Sequence, residues 1–257
     1  MSTLLEVKDL TKRFGGLTAV NHFSTQLVEG ELCALIGPNG SGKTTIFNVI
    51  TGIYEPTEGN IIFSGEDVSG MRPDQITKRG IARTFQNIRL FKGLNVLENV
   101  IVGKHLRLNS DPASAILHLP NYMKEESEMR RTGMTLLKSL GLDRFAEDEP
   151  TSLPYGLQRK LEIARALATE PRLLLLDEPA AGMSPSDSEE LMAFIQHILD
   201  SFDLTIFLIE HQMRVVMGIC PRIIVIDHGE KIAEGNPEQI QNNDRVIEAY
   251  LGVVDHA

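Results

Sequence analysis

Apolar residues along the chain follow two different spacings, one typical of strands and one typical of helices. Short apolar runs bounded by turn residues predict strands at residues 4–7, 22–27, 32–36, 60–63 and 81–83. From about residue 88 to residue 153, apolar positions instead recur every three or four residues, as Leu94, Leu97, Val100 and Ile101 do. That spacing is typical of helices with one buried face. We therefore expect a β-rich beginning followed by a helical segment.

Strands and helices alternate again after residue 153. Strands are predicted at residues 172–176, 204–209 and 222–226, and helices at residues 186–202 and 211–218. Such alternation favours a parallel sheet. The predicted fold class is α/β, with a parallel sheet, a β-rich N-terminal margin and an inserted helical sub-domain. We predict one domain over residues 1–257, with residues 1–87 and 154–257 as the core and 88–153 as the insertion; within it, residues 105–131 are predicted to form a helix–loop–helix excursion.

A glycine-rich segment directly follows the apolar run at residues 32–36. It reads Gly37, Pro38, Asn39, Gly40, Ser41, Gly42, Lys43, Thr44 and Thr45. This is the phosphate-loop pattern G-x-x-x-x-G-K-[ST] between a predicted strand and a predicted helix. The glycines let backbone N–H groups surround a polyphosphate, Lys43 reaches the β- and γ-phosphates, and Thr44 offers a hydroxyl to Mg²⁺. The alternative is a glycine-rich turn that binds nothing, but the complete motif favours a nucleoside triphosphate site.

Two carboxylates follow a second apolar run, the four leucines at residues 173–176. A buried strand that ends in Asp177 and Glu178 presents both acids at the carboxyl edge of a parallel sheet, where ligands bind. Asp177 is the candidate Mg²⁺ ligand, directly or through water. Glu178 is the candidate group that polarises an attacking water. By themselves these residues also fit a solvated turn, and it is the phosphate loop upstream that favours catalysis.

Composition excludes several classes of protein. The chain has 257 residues, 42% of them hydrophobic, which suffices for a large core. A formal charge of −10 disfavours a nucleic-acid binder, which needs a basic surface. Cys33 and Cys220 are far apart and indicate neither a metal site nor a disulfide framework. No run approaches about 18 apolar residues, so we expect a cytoplasmic protein that reaches a membrane only through a partner.

Further motifs carry a family resemblance. Thr84-Phe85-Gln86, residues 153–167 and Ile209-Glu210-His211 follow the phosphate loop in order. With Asp177 and Glu178, this arrangement resembles the ATP-binding subunits of ABC transporters over essentially the whole chain. The resemblance implies a P-loop NTPase fold and ATP with Mg²⁺ as cofactors. It also implies that Gln86 senses Mg²⁺ and water, that His211 contacts the γ-phosphate, and that Phe14 stacks on adenine.

The resemblance is incomplete at the signature, which reads Leu-Ser-Gly-Gly-Gln in most of the family. Here Pro154 stands in the serine position, Tyr155 in the first glycine position and Leu157 in the glutamine position, while Gly156 is kept. The family packs two ATP-binding subunits head to tail, which implies that Tyr155, Gly156 and Gln158 face the partner's nucleotide. Two alternatives stay open: a weakened contact, or sufficient binding by backbone N–H groups and the helix dipole. Ser184 likewise stands where many relatives have an aspartate.

Several strings resemble the ATP-binding subunits of branched-chain amino-acid importers, namely residues 85–91, 155–156, 177–183, 209–213 and 249–252. This likeness implies a peripheral protein on the cytoplasmic face of the membrane. The implied partners are permease subunits, a second ATP-binding subunit in a homo- or heterodimer and, indirectly, a solute-binding protein; no nucleic acid is expected. The alternatives are the ATPase of a urea or amide importer or a lipopolysaccharide exporter, a P-loop small-molecule kinase, and an ABC ATPase acting on DNA or ribosomes.

Overall fold

The computed structural model describes residues 2–107 and 120–251. Two compact units are present. The first combines the residues up to Gln86 with those from Arg172 onward, and the second runs from Asn87 to Pro171. The predicted insertion has a similar beginning, but its predicted end at residue 153 differs from the end of the second unit. The helix that follows Pro154 therefore groups with the second unit and not with the first.

All strands of the described residues lie in the first unit. They are β1 (Thr3–Phe14), β2 (Leu17–Val28), β3 (Leu32–Ile36), β4 (Glu58–Phe63), β5 (Glu66–Asp67), β6 (Ile81–Arg83), β7 (Leu173–Asp177), β8 (Thr205–Ile209), β9 (Arg222–Asp227) and β10 (Glu230–Gly235). The described helices of both units are α1 (Lys43–Ile50), α2 (Pro73–Lys78), α3 (Val96–Lys104), α4 (Pro120–Ser139), α5 (Tyr155–Leu167), α6 (Pro185–Ser201), α7 (Met213–Ile219), α8 (Pro237–Gln241) and α9 (Asp244–Leu251).

The β-rich margin is an antiparallel sheet with the strand order β2-β1-β4-β5. Strands β1 and β2 are longer than predicted, because they pair from Thr3 and Val28 to Phe14 and Leu17. Register shifts interrupt the pairing, and Asp9 has a positive φ of 45°. Such bulges break the simple apolar alternation that marks a strand in the sequence. The longer β1 places Phe14 at the end of the strand.

The second sheet has the order β10-β9-β3-β8-β7-β6. Strands β9, β3, β8, β7 and β6 are parallel, which confirms the predicted parallel sheet. Every residue of β3, β7 and β8 is buried, as expected for strands covered on both faces. Helix α1 contributes Ile46, Phe47 and Ile50 to an apolar cluster with strands of both sheets. The carboxyl ends of β3, β6, β7 and β8 consequently lie along one edge.

Strand β10 was not predicted from the sequence. It pairs antiparallel with β9 after a turn at His228 and Gly229, where φ is 45° and 84°. Two successive residues with positive φ are typical of tight hairpin turns. The strand is polar and at most half-buried, so it lacks the apolar pattern that a sequence search detects.

The second unit consists of helices. Helix α3 begins at a capping box. The Asn95 side chain accepts a hydrogen bond from the Glu98 N–H, and the Glu98 carboxylate accepts one from the Asn95 N–H. Glycines allow close helix contacts: a Cβ on Gly103 would lie 2.6 Å from the Arg165 carbonyl oxygen. Of the predicted excursion at residues 105–131, the segment 108–119 lies outside the described residues. Across residues 2–107 and 120–251, no helix has the length and apolar character needed to cross a bilayer.

Candidate nucleotide-binding and hydrolysis site

The phosphate-loop motif connects the end of β3 at Ile36 to the beginning of α1 at Lys43. Gly37 and Gly42 have positive φ values of 155° and 108°. A Cβ would lie 2.0 Å from a backbone oxygen at Gly37 and 2.5 Å from another at Gly42. Side chains are therefore excluded at both positions. The loop holds its backbone close to neighbouring strands, as a cradle for a polyphosphate requires.

Lys43 is buried, and its ammonium lies on the loop itself. Nζ donates to the carbonyl oxygens of Gly37, at 2.7 Å, and Pro38, at 2.8 Å. Burial lowers the pKa of Lys43, and the negative charges of Glu178 and Asp177 oppose that shift. Thr44 is exposed and Thr45 is half-buried at the same end of α1. The Lys43 ammonium, the Thr44 hydroxyl and the N-terminus of α1 thus lie at the same end of the helix. This arrangement fits a bound polyphosphate.

Asp177 ends β7, and its carboxylate is paired with Arg83 at the end of the neighbouring strand β6. Arg83 Nη2 lies 2.6 Å from Asp177 Oδ2, with side-chain exposures of 5% and 6%. The same guanidinium donates to Asn48 Oδ1 at 2.7 Å and lies over the ring of Phe85. Arg83 therefore connects the candidate metal ligand, helix α1 and the residue next to Gln86. Sequence reasoning missed Arg83, although a charged residue at the end of a short apolar strand was an available signal.

Glu178, Gln86 and His211 are brought together at the same edge of the sheet. Gln86 Nε2 donates to Glu178 Oε2 at 2.6 Å, and His211 Nδ1 lies 3.5 Å from the same oxygen. Glu178 has a φ of 48°, which is uncommon for a residue with a side chain. Its backbone N–H donates to the Ile209 carbonyl at 2.9 Å. Gln86 thus joins a residue 92 positions later, and with His211 they form one cluster able to orient a water molecule.

The predicted adenine-stacking residue, Phe14, is 41% exposed at the end of β1. Its ring meets that of Tyr54 edge-on, with centroids 5.1 Å apart. Lys12 Nζ lies 5.1 Å from the Phe14 centroid and donates to the Glu55 carbonyl at 2.8 Å. A flat apolar face at the surface suits stacking with a base. Tyr54 and Lys12 are additions that the sequence reading did not include.

The residues present fit Mg²⁺ only together with a nucleotide. Within the described residues, no three His, Cys, Asp or Glu side chains are grouped as a metal cage would require. Of the three candidate Mg²⁺ ligands, Asp177 supplies the negative charge, because Thr44 and Gln86 can contribute only neutral oxygens. Mg²⁺ in nucleotide sites takes one or two protein ligands and completes its shell with phosphate oxygens and water. The donor set therefore fits Mg²⁺ bound with ATP.

Comparison with known proteins identifies the family. The ABC transporter family matches residues 20–181, which is more than half of the chain. The chain belongs to the ABC transporter family. A second family, the branched-chain amino acid ATP-binding cassette transporters, matches residues 230–256 of this cassette. The predicted ABC-transporter ATP-binding subunit with a P-loop NTPase fold is thereby confirmed.

Two relatives align with the cassette over nearly its whole length. It is 44% identical to the high-affinity branched-chain amino acid transport ATP-binding protein BraF of Pseudomonas aeruginosa, covering 97% of this chain and 98% of BraF. It is 45% identical to the corresponding protein LivG of Escherichia coli K12, with the same coverage. A crystal structure of an ABC-transporter cassette in its ADP conformation superposes with a TM-score of 0.86 at 29% identity, covering 98% of this chain and all of that one. The predicted resemblance to branched-chain amino-acid subunits is confirmed.

The signature of the cassette lies at the start of α5, in the second unit. Pro154 is the N-cap, with no side-chain capping bond, and the helix begins at Tyr155. The Pro154 carbonyl accepts from the N–H groups of Leu157, at 2.9 Å, and Gln158, at 3.1 Å. Gln158 Nε2 donates to the Leu153 carbonyl at 2.8 Å. Tyr155 is 43% exposed and Gly156 is half-buried.

A buried ion pair supports the signature helix. Arg159 Nη1 lies 2.9 Å from Glu162 Oε2, and both side chains are almost fully buried. Arg159 Nη2 also donates to the Tyr155 hydroxyl at 3.1 Å. Burial raises the pKa of Glu162, and the charge of Arg159 opposes that shift. The pair holds the signature residue Tyr155 to its own helix, and the sequence reading had not assigned it a role.

Ser184 has a local structural role in addition to its position in the family pattern. It is the N-cap of α6, and its hydroxyl accepts from the Asp187 N–H at 3.2 Å. Pro185 follows at the first helical position, where proline is favoured. Ser-Pro before an amphipathic run is a helix-start signal that was available in the sequence.

Proposed function

We propose that this cassette hydrolyses ATP to drive the import of branched-chain amino acids through a membrane permease. The observation that carries the proposal is the cluster of Gln86, Glu178 and His211 beside the phosphate loop. The match of residues 230–256 to the branched-chain family and the names of the relatives support the solute class. A small-molecule kinase would instead need an acceptor pocket near Glu178, and the signature around Gly156 together with Gln86 and His211 argues against that class.

In the proposed mechanism, the loop from Gly37 to Thr45 wraps the phosphates and Lys43 turns its ammonium from the loop carbonyls to the β- and γ-phosphates. Phe14 stacks on the adenine. Thr44, Gln86 and Asp177 would hold Mg²⁺, which would neutralise charge on the phosphate oxygens.

Glu178 polarises the attacking water, while Gln86 and His211 orient its carboxylate. His211 also donates to the γ-phosphate. Because these groups come from three different strand ends, a small relative shift of the loops would be enough to separate them.

We further propose that two ATP-binding subunits assemble so that Tyr155, Gly156 and Gln158 of one complete the nucleotide site of the other. The proposed nucleotide-binding core is residues 1–87 and 154–257, in which residues 154–171 carry the signature although they group with the second unit. Residues 88–153 form the proposed insertion that receives the permease. The complex lies on the cytoplasmic face of the membrane and works with a solute-binding protein. Neither the charge of −10 nor the family supports a nucleic-acid partner.

The test is reconstitution of the cassette with its permease subunits in proteoliposomes. We expect ATP-dependent uptake of labelled leucine, isoleucine and valine, with ATP turnover stimulated by the loaded solute-binding protein. Glu178→Gln should lower turnover by about 10²-fold and leave ATP binding intact. Glu189→Gln is the matched control, because Glu189 is an exposed acid of α6 that pairs with Arg214.

Other outcomes identify the alternatives. Uptake of urea or amides without branched-chain amino acids would overturn the solute class, as would lipopolysaccharide export. A Glu178→Gln complex that turns over at the wild-type rate would overturn the catalytic assignment. Cysteines introduced at Asn87, Leu90 and Leu94 should cross-link to a permease loop in the assembled complex. Failure of all three in a transport-competent complex would overturn the docking site.

A further inference from the structure

Glu210 is a fully buried acid between the end of β8 and His211. Among the described residues, no lysine or arginine forms an ion pair with its carboxylate. Its partners are backbone groups: Oε1 accepts from the Ala180 N–H at 2.8 Å, and Oε2 accepts from the N–H groups of His211, at 3.0 Å, and Gln212, at 3.2 Å. Burial raises the pKa of Glu210, and these three hydrogen bonds oppose that shift.

A carboxylate without a cation is a costly residue to bury. Its removal from water is unfavourable, and hydrogen bonds from N–H groups offset that cost only if all of them are kept. Charge-assisted bonds of this kind are roughly twice as strong as neutral ones. Glu210 therefore imposes a defined geometry on the two backbone segments that donate to it.

Those two segments carry the reacting groups of the site. One is the loop after β7, which holds Glu178 and Ala180, and the other is the loop after β8, which holds His211. Two more hydrogen bonds join the same loops, from the Glu178 N–H to the Ile209 carbonyl at 2.9 Å and from Gln212 Nε2 to the Ala180 carbonyl at 2.7 Å. At the surface, His211 Nδ1 lies 3.5 Å from Glu178 Oε2. Glu210 accepts hydrogen bonds from the backbone of His211 itself and from the backbone of Ala180, two residues after Glu178.

We propose that Glu210 is a positioning residue that sets the distance between His211 and Glu178 and makes the two loops move together. The inference rests on the proposed ATPase function of this site. Glu210 itself does not contact the nucleotide. It acts through His211, because its carboxylate holds the backbone N–H of that residue while its other oxygen holds Ala180.

The test is the exchange Glu210→Gln in the assembled complex. Glutamine has nearly the same volume, but its amide NH₂ would face a backbone N–H where the carboxylate accepts. We expect kcat to fall by about 10-fold or more, while the affinity for ATP stays within about twofold of the wild type. An unchanged kcat would overturn the inference. Equal losses of ATP affinity and kcat would also overturn it, since they indicate a general folding role.

A double-mutant cycle with His211→Ala separates positioning from structural support. If Glu210 acts through His211, the double variant should be no more than about twofold slower than His211→Ala alone. Additive losses would overturn the inference. If Glu210→Gln does not fold, Gln212→Ala removes one neutral bond between the same loops; it should lower kcat a few-fold with the same dependence on His211, and the absence of that dependence is contrary evidence.

Two further variants complete the design. Gln196→Ala is a matched control, because the Gln196 amide donates to Asp200 on α6, away from both loops, and kcat should not change. Glu178→Gln is measured in parallel. Wild-type turnover in Glu178→Gln would mean that the proposed function has failed. A collapse in Glu178→Gln with normal turnover in Glu210→Gln would mean that only the role of Glu210 is wrong.

Discussion

The replacement Arg83→Met tests the buried ion pair between Arg83 and Asp177, the candidate Mg²⁺ ligand. Methionine retains much of the apolar volume of arginine but removes the charge and the hydrogen bonds to Asp177 and Asn48. The Asp177 carboxylate would then be buried without its cation. We expect the variant to lose stability mainly through this uncompensated charge and only in part through packing.

The magnitude follows from burial. Breaking a buried ion pair from one side costs about 3–5 kcal/mol, and the pair of Arg83 and Asp177 is about 95% buried on both sides. The matched control is Arg172→Met, because Arg172 pairs with Glu29 at side-chain exposures of 49% and 41%. Exposed pairs contribute about 0–1 kcal/mol, so the control should lose little.

The assay is urea unfolding followed by two probes, with the free energy of unfolding compared at equal m-values. The double variant Arg83→Met, Asp177→Asn should regain about 2 kcal/mol relative to Arg83→Met, because the buried charge is gone. A loss below about 1 kcal/mol in Arg83→Met, or no recovery in the double variant, would refute the reasoning.

Three further predictions concern the nucleotide and the thiols. Lys43→Ala should abolish binding of a fluorescent ATP analogue, because it removes the buried cation of the loop; a folded variant with wild-type affinity would contradict the assignment of the loop. Cys220, whose pKa burial raises to about 12, and buried Cys33 should react with a thiol reagent at pH 8 only after unfolding, when two thiols should be counted; rapid native reaction would contradict their burial. In a heterodimer, Pro154→Ser should speed single-turnover hydrolysis at the site containing the partner's phosphate loop and leave this chain's own site unchanged; equal rates without any response would show that the N–H groups at Tyr155 and Gly156 suffice.

The predictions that succeeded depend on residues close together in the chain. The strand before Gly37, the loop and the helix at Lys43 form one continuous motif, and four leucines followed by Asp177 and Glu178 form another. Strands of a parallel sheet are buried on both faces, so a continuous apolar run in the sequence predicts them directly. Strand β10 and the full length of β1 were not predicted, because polar residues in β10 and bulges in β1 interrupt the apolar alternation of a strand. Backbone pairing with a neighbour, which leaves no periodic signal, decided those elements.

The sequence by itself determined which residues form the phosphate-loop motif, and the order of its motifs indicated the family. Only the tertiary structure decided which side chains meet. Arg83 reaches Asp177 across 94 positions, and Gln86 reaches Glu178 across 92, because parallel strands bring their carboxyl ends to one edge. Nothing in the sequence around Glu210 indicates that its carboxylate is buried. The burial depends on the loop after β7, whose Ala180 N–H donates to that carboxylate. Strand neighbours set these distances, and no local pattern encodes which strand lies beside which.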